Sequence, residues 1–286
     1  MSILNVIILA IVQGLAELLP VSSSAHVVVA EKLLGLDPSS PAMTLLLVML
    51  HTGTLFAVIV YFWKNWKAAY FKNSETFKRF AWLIILATAL TGIIGEIIIK
   101  IIEKTLFRGL PKAQIEDLFG RLDLVAPALA AAGILILIAG LLEKRFRGAA
   151  TENMSARQAG IIGTVQGLCL PFRGFSRSGS TISVGMLAGV SKATAESFSF
   201  ALAVVLTPLV VGRETLRLVH AAHDSGGVSL GSAMGPSLLG ALFSFVAGLV
   251  ALKWLSGWLE HGRWYLFGIY CLFASGVVFY LYQRGF

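Results

Sequence analysis

A carboxylate, a run of hydroxyls and an imidazole fall within ten residues near the start of this 286-residue sequence: Glu17, Ser22, Ser23, Ser24 and His26. Gln13 precedes Glu17 by four positions, so on a helix the two project from one face. Pro20 interrupts the apolar run between the carboxylate and the hydroxyls. Hydroxyls just after a helix break can cap the next helix and stand beside its free N–H groups. Such a set suits base-assisted nucleophilic chemistry, with Glu17 or His26 handling a proton and a serine oxygen attacking. The same carboxylate and imidazole also suit metal ligation.

A second cluster carries the opposite charge. Arg173, Gly174, Ser176, Arg177, Ser178, Gly179 and Thr181 lie between Pro171 and the next apolar run. Glycines let a backbone come close, N–H groups at a helix start attract an anion, and the arginine fork matches phosphate oxygens. This is a phosphate cradle in type, with neither P-loop nor dinucleotide-binding spacing. The plainer alternative leaves the serines to helix packing and makes Glu17 and Arg177 a fixed ion pair. Against it stands the cost of placing charge inside apolar segments, which marks such residues as functional by default. Gln13 and Arg173 fit a ligand contact or a hydrogen bond behind one equally well.

The elements that must hold these groups are apolar throughout. Hydrophobic residues make up 57% of the chain and charged ones 13%, about half the share usual in soluble domains. With a mean hydropathy of +0.82, the chain is read as a polytopic membrane protein. Soluble globules, disordered chains, collagen and disulfide-stapled folds are excluded. Cys169 and Cys271, the only cysteines, have no metal-ligand spacing. The net charge of +8 sits mainly in short connections, where it meets anionic lipid headgroups. No basic stripe with interleaved aromatics points to nucleic acid.

Six runs are long enough to span a hydrocarbon core: 43–62, 80–102, 122–142, 198–219, 238–259 and 265–281. Two further runs are broken. Residues 3–19 stop at Pro20 and resume at 27–36, and residues 161–170 stop at Pro171 and resume at 181–190. Each is read as a re-entrant helical hairpin, tolerated at membrane depth where protein or a polar cavity satisfies its tip. A cleaved signal peptide is disfavoured because no Lys or Arg precedes Lys32 and Glu17 interrupts the apolar stretch. Loop charges divide into Lys64, Lys67, Lys72, Lys78, Arg79, Lys144, Arg145, Arg147, Arg157, Lys253 and Arg263 on one side. Lys104, Arg108, Lys112, Arg121, Arg217 and Arg284 fall on the other. The richer side is read as cytoplasmic, which puts both termini outside.

The breaks also resemble each other. Val12, Gln13, Gly14 and Leu15 recur as Val165, Gln166, Gly167 and Leu168, 153 residues later; with one extra residue, Ser22 to Ser24 then meets Ser176 to Ser178. The fold class expected is therefore an all-α polytopic membrane protein with six transmembrane helices and two re-entrant hairpins in inverted-topology repeats. A single domain of residues 1–286 would contain halves at 1–102 and 155–286, with hairpins at about 3–36 and about 158–190. Broken helices at matching points of two inverted halves mark a binding site near the midplane.

Together the two clusters resemble the undecaprenyl pyrophosphate phosphatases of the bacitracin-resistance type. That family carries Glu-Gly-Leu-x-Glu-x-x-Pro-x-Ser-Ser-x-x-His and Pro-Gly-x-Ser-Arg-Ser-Gly. Gly14, Leu15, Glu17, Pro20, Ser22, Ser23 and His26 fit the first motif, and Ser176, Arg177, Ser178 and Gly179 the end of the second. The runs beginning at His51 and Phe198 match as well. The resemblance implies hydrolysis of undecaprenyl pyrophosphate, the spent lipid carrier of cell-wall synthesis, to its monophosphate in the bacterial cytoplasmic membrane. It implies Glu17 as acid/base or metal-binding carboxylate, Ser23 as nucleophile or phosphate contact, His26 in proton transfer and Arg177 as the pyrophosphate clamp. Gln13, Ser22, Ser24, Arg173, Ser176, Ser178, Gly179 and Thr181 are the expected substrate contacts. A divalent cation, Mg2+ or Ca2+, is implied as cofactor, with the polyprenyl pyrophosphate and membrane lipids as partners; a homodimer is compatible with this reading.

Two departures stand out. The family's first motif glutamate is Gln13 here, and Pro-Gly is replaced by Pro171, Phe172, Arg173 and Gly174. They keep a second expectation open, a polyprenyl-phosphate transporter or a non-catalytic lipid-phosphate binder on the same fold.

Overall fold

The computed structural model describes residues 2–37, 40–106, 118, 120–146, 150–224, 230–260 and 262–286, with backbone alone at 106, 144–146, 213–214, 217–224, 230–232 and 259–260. Arg108, Lys112 and Arg147, three of the charges used for orientation, lie outside the described residues, as do the side chains of Lys144, Arg145 and Arg217. Ten helices run along the described chain: α1 (Ile3–Leu18), α2 (Ser23–Leu33), α3 (Pro41–Tyr70), α4 (Ser74–Leu106), α5 (Leu122–Phe146), α6 (Ala156–Cys169), α7 (Arg177–Leu187), α8 (Lys192–Asp224), α9 (Leu230–Glu260) and α10 (Trp264–Gln283).

Six of them, α3, α4, α5, α8, α9 and α10, are long and apolar enough to cross a membrane, and they contain the six runs expected from hydropathy. The other four come in pairs. At 1.5 Å per residue, the 16 residues of α1 reach about 24 Å and the 11 of α2 about 16 Å, both short of a ~30 Å core. With 14 and 11 residues, α6 and α7 are equally short. Their second members begin earlier than hydropathy suggests: α2 at Ser23 rather than 27, and α7 at Arg177 rather than 181. The polar residues that read as interruption form the first helical turn, where free N–H groups need polar company.

The starts are capped locally. Ser40 accepts from Met43 N with Pro41 at the first helical position, and Ser155 forms a capping box with Gln158. Side chains of α2, α5, α7, α8 and α10 share one core, including Leu129, Ile136, Ile182, Phe198 and Trp264, all at 2% exposure or less. The Trp264 indole donates to Ser183 Oγ at 2.9 Å, tying α10 to α7. Cys169 and Cys271 are free and buried.

Close packing falls at matching places in the two broken pairs. Helix α1 lies on α9, where a Cβ on Gly14 would come within 2.6 Å of Ala247 Cβ, 2.7 Å of Ser244 O and 3.1 Å of Gly248 N. Helix α6 lies on α4, where a Cβ on Gly167 would meet Ile94 Cβ and Thr91 O at 2.9 Å and Gly95 N at 3.2 Å. Thr91, Ile94 and Gly95 stand 153 residues before Ser244, Ala247 and Gly248, the same offset that relates the glycines. Both glycines are needed because a methyl group would force the helices apart.

Candidate active site where the two breaks meet

Glu17 occupies the last turn of α1, and everything at the site is arranged around its carboxylate. Ser23, the first residue of α2, donates its hydroxyl to Glu17 Oε2 at 2.5 Å. Arg177, the first residue of α7, donates Nη2 to Oε1 at 2.7 Å. Gln13, one turn back on α1, donates Nε2 to Oε2 at 3.3 Å. The starts of two half-helices thus converge on one carboxylate, and the positive end of each helix dipole favours the negative charge held there. Glu17 and Arg177 are mostly buried, with side-chain exposures of 14% and 20%.

The neighbouring breaks are stitched to each other. Gly174 N donates to Ser24 Oγ at 3.2 Å, and Ser178 Oγ donates to Leu19 O at 3.3 Å. Gly174 has φ +100, and a side chain there would run into Val125 of α5. At the other tip the corresponding strain falls on a serine. Ser22 has φ 69 and ψ 92, the only non-glycine with positive φ among the described residues. A conformation of this kind costs about 1–3 kcal/mol and persists where its surroundings hold it, most often at functional sites. It turns the chain so that Ser23 faces back toward Glu17.

Of the residues singled out from sequence, Glu17, Ser23, Arg177 and Gln13 come together directly. His26 takes a different direction. Its Nδ1 is 2.8 Å from Ser22 O and its Nε2 is 2.7 Å from the Tyr270 hydroxyl of α10. The imidazole that faces Glu17 is His51 of α3, whose Nε2 lies 4.0 Å from Oε2 while Nδ1 bonds Leu47 O at 2.8 Å. A histidine in mid-span is the sequence signal for it, although the partner depends on how α3 packs. Ser176 accepts from Gly179 N and so caps α7, and Thr181 Oγ1 bonds Arg177 O and Ser199 Oγ. These hydroxyls and that of Ser178 serve the interior, at 0–3% exposure. Arg173 lies within electrostatic range of Glu31, a 1%-exposed carboxylate of α2 that hydropathy gave no reason to single out.

One donor at the centre is left over. Arg177 Nη1 is buried and has no hydrogen-bond partner, although Nη2 is bound to Glu17. A buried guanidinium nitrogen without an acceptor is costly unless a ligand supplies one. Oxygens of a phosphate are the natural complement to this fork.

Comparison with known proteins places the chain. The family model described as bacitracin resistance protein BacA matches residues 6–278. The chain belongs to the BacA family. Undecaprenyl-diphosphatase 2 of Acinetobacter baylyi is 59% identical over 281 residues, 97% of each chain. Undecaprenyl-diphosphatase of Desulfosudis oleivorans is 34% identical over 296 residues, 97% of this chain and 98% of that one. Undecaprenyl-diphosphatase of Methanosphaera stadtmanae is 32% identical over 297 residues, 95% of each. This is the family that the two clusters resemble in sequence, and the BacA chain is a multi-pass membrane protein.

The divalent cation expected from that resemblance can be tested against the donors present. Hard cations such as Mg2+ and Ca2+ take six or more oxygen ligands. Glu17 offers a carboxylate whose two oxygens already accept from Ser23, Gln13 and Arg177. Among the described residues no group of three or more His, Cys, Asp or Glu side chains gathers anywhere. With Gln13 in place of a second carboxylate, these side chains do not form a cation cage.

Proposed function

We propose that this BacA protein hydrolyses undecaprenyl pyrophosphate to undecaprenyl phosphate and inorganic phosphate in the bacterial cytoplasmic membrane, returning the lipid carrier to cell-wall synthesis. The observation that carries the reading is the unpartnered Arg177 Nη1 beside a serine hydroxyl already bonded to a carboxylate. In this mechanism Ser23 gives its proton to Glu17 as Oγ attacks the terminal phosphorus. The bond to the bridging oxygen breaks, leaving the lipid monophosphate, and water then releases phosphate from the serine. Arg177 neutralises charge that develops on the phosphoryl oxygens, an effect typically worth 10²–10³ in rate per donor at such sites. His51, behind Glu17 Oε2, is the next group able to receive the proton.

The same proposal includes the placement of the two short pairs as re-entrant hairpins of inverted repeats, with both termini outside. Their lengths and the matched contacts of Gly14 and Gly167 support it. A divalent cation would enter with the pyrophosphate, whose oxygens supply the hard ligands that the side chains around Glu17 lack.

The test is phosphate release by purified protein from a polyprenyl pyrophosphate, with and without chelator. Glu17→Ala and Arg177→Ala should each stop it. Full activity in either variant overturns the mechanism. Lipid movement between leaflets with no phosphate released would establish transport instead.

A further inference from the structure

Helix α2 starts without the cap that its neighbours have. Ser2, Ser40, Ser155 and Ser176 each accept a backbone N–H at the start of α1, α3, α6 and α7, but Ser22 makes no such bond at α2. The first helical bond there, from His26 N to Ser22 O, is also long at 3.4 Å. Together with the positive φ of Ser22, this leaves a turn with little of its own to hold it. Yet it is the turn that delivers Ser23 to Glu17.

The support comes from α10. Ser22 O can only accept, so His26 Nδ1, 2.8 Å away, carries the ring proton. Nε2 of the neutral ring is then an acceptor, and the Tyr270 hydroxyl donates to it at 2.7 Å. A bond accepted at Nε2 polarises the ring and strengthens the donation from Nδ1. The next residue, Cys271, points Sγ at Pro20 O, 3.4 Å away, so α10 grips the tip at carbonyls on both sides of Val21. Helix α10 is itself held in place: Ser275 Oγ donates to Ala126 O of α5 at 2.7 Å, and Trp264 donates to Ser183 of α7. Both nitrogens of His26 are thus engaged away from the reacting groups, while Ser23 donates directly to Glu17.

We propose that Tyr270 and His26 are positioning residues: the Tyr270 hydroxyl, through the His26 ring, holds the Ser22 carbonyl and so fixes the turn that presents Ser23 Oγ to Glu17. The inference rests on the phosphatase reading and deepens it. The family resemblance implies His26 in proton transfer. Here its proton stays on Nδ1 throughout, and Glu17 takes the serine proton without the help of that ring. A nucleophile displaced by about 1 Å loses about a hundredfold in rate, so holding a strained turn is worth as much to turnover as a modest acid or base.

Phosphate release from a polyprenyl pyrophosphate, followed well below the melting point of each variant, tests this. Tyr270→Phe should lower kcat about fivefold at unchanged KM, the equivalent of one net hydrogen bond of about 1 kcal/mol. His26→Ala should lower kcat by up to about a hundredfold. Asparagine places an amide N–H near the position of Nδ1 but cannot pass a proton, so His26→Asn should recover kcat to within about tenfold of wild type. Tyr270→Phe should add nothing to His26→Ala, because the hydroxyl acts only through the ring. His26→Asn as slow as His26→Ala, or a full further loss from Tyr270→Phe in the His26→Ala background, overturns the assignment. Hydrogen exchange of the backbone at residues 20–26 supplies a readout without turnover. It should speed up about fivefold or more in Tyr270→Phe and in His26→Ala, and slow again in His26→Asn. Unchanged exchange in the first two overturns the positioning role. That exchange pattern in a protein whose wild type releases no phosphate supports the positioning role and sinks the phosphatase reading alone.

Discussion

Gly14 and Gly167 do the same work in two places: each lets a short helix lie against a long one, on residues separated by the same offset. From there the two breaks diverge. Gln13 turns to Glu17, whereas Gln166 is fully buried and donates to Thr91. The position 153 residues after Glu17 is Leu170, whose side chain packs on Gly95 of α4. One residue later in register, Ser23 opens α2 and Arg177 opens α7. A shared backbone plan thus supplies two helix starts facing each other, and the chemistry is divided between them. In the proposed mechanism the first break holds the proton acceptor and the hydroxyl, and the second holds the fixed cation. Neither half could do the reaction with two copies of its own set.

The largest effect should come from removing either charge. Glu17→Ala leaves Arg177 buried without its partner, and Arg177→Ala does the reverse. Each should cost about 3–5 kcal/mol of stability along with the activity, read from melting in detergent and from phosphate release. Leu170→Ala, at the position matching Glu17, should lose about 2 kcal/mol or more as a packing defect while turnover persists. If Leu170→Ala is as inactive as Glu17→Ala, the division of labour between the breaks is wrong.

Swapping the glutamines sharpens the contrast. Gln166→Glu puts a carboxylate at 0% exposure beside Thr91, and a buried charge without a cationic partner should destabilise by several kcal/mol. Gln13→Glu sets a second carboxylate against Glu17, where a proton or a divalent cation can relieve the repulsion. Its melting point should fall in chelator and recover in millimolar Mg2+, and Gln166→Glu should show no such recovery. Gly14→Ala and Gly167→Ala should then be alike, each losing about 1–3 kcal/mol to overpacking. A large difference between them would break the structural equivalence of the two pairs. The smallest effect lies at the caps. Ser176→Ala should cost about 1 kcal/mol, whereas Ser22→Gly should stabilise by a similar amount because it relieves a positive φ.

The long spans were legible because hydropathy over twenty residues needs no knowledge of neighbours, and each expected run lies inside an observed helix. The breaks were legible too, at Pro20 and Pro171. Their far edges were not: Ser23 and Arg177 are polar, so hydropathy places the helix start four residues late in both cases. At the site, Glu17 and Arg177 stood out because charge in apolar sequence is rare. The roles of His26 and His51 depended on rotation about α2 and on the packing of α3, and neither leaves a mark on spacing. Ser22, Ser23 and Ser24 were read as one hydroxyl cluster. The structure gives them different tasks, a strained turn at Ser22, a carboxylate partner at Ser23 and an acceptor for Gly174 at Ser24, while the Ser22 and Ser24 hydroxyls stay 3.2 Å apart.

The glycine contacts also set an order of assembly. Helix α6 packs on α4, which the ribosome has already delivered, but α1 packs on α9, which is made near the end of the chain. Helix α1 must therefore wait, with its Gly14 face uncovered, until almost the whole protein has been inserted. Glu17 meets Arg177 only after α7 has been made, so a chain that stops before α7 carries no such pair into the membrane. Two fragments divided between α5 and α6 would each lack the helix that grips their own hairpin, and each would find it in the other.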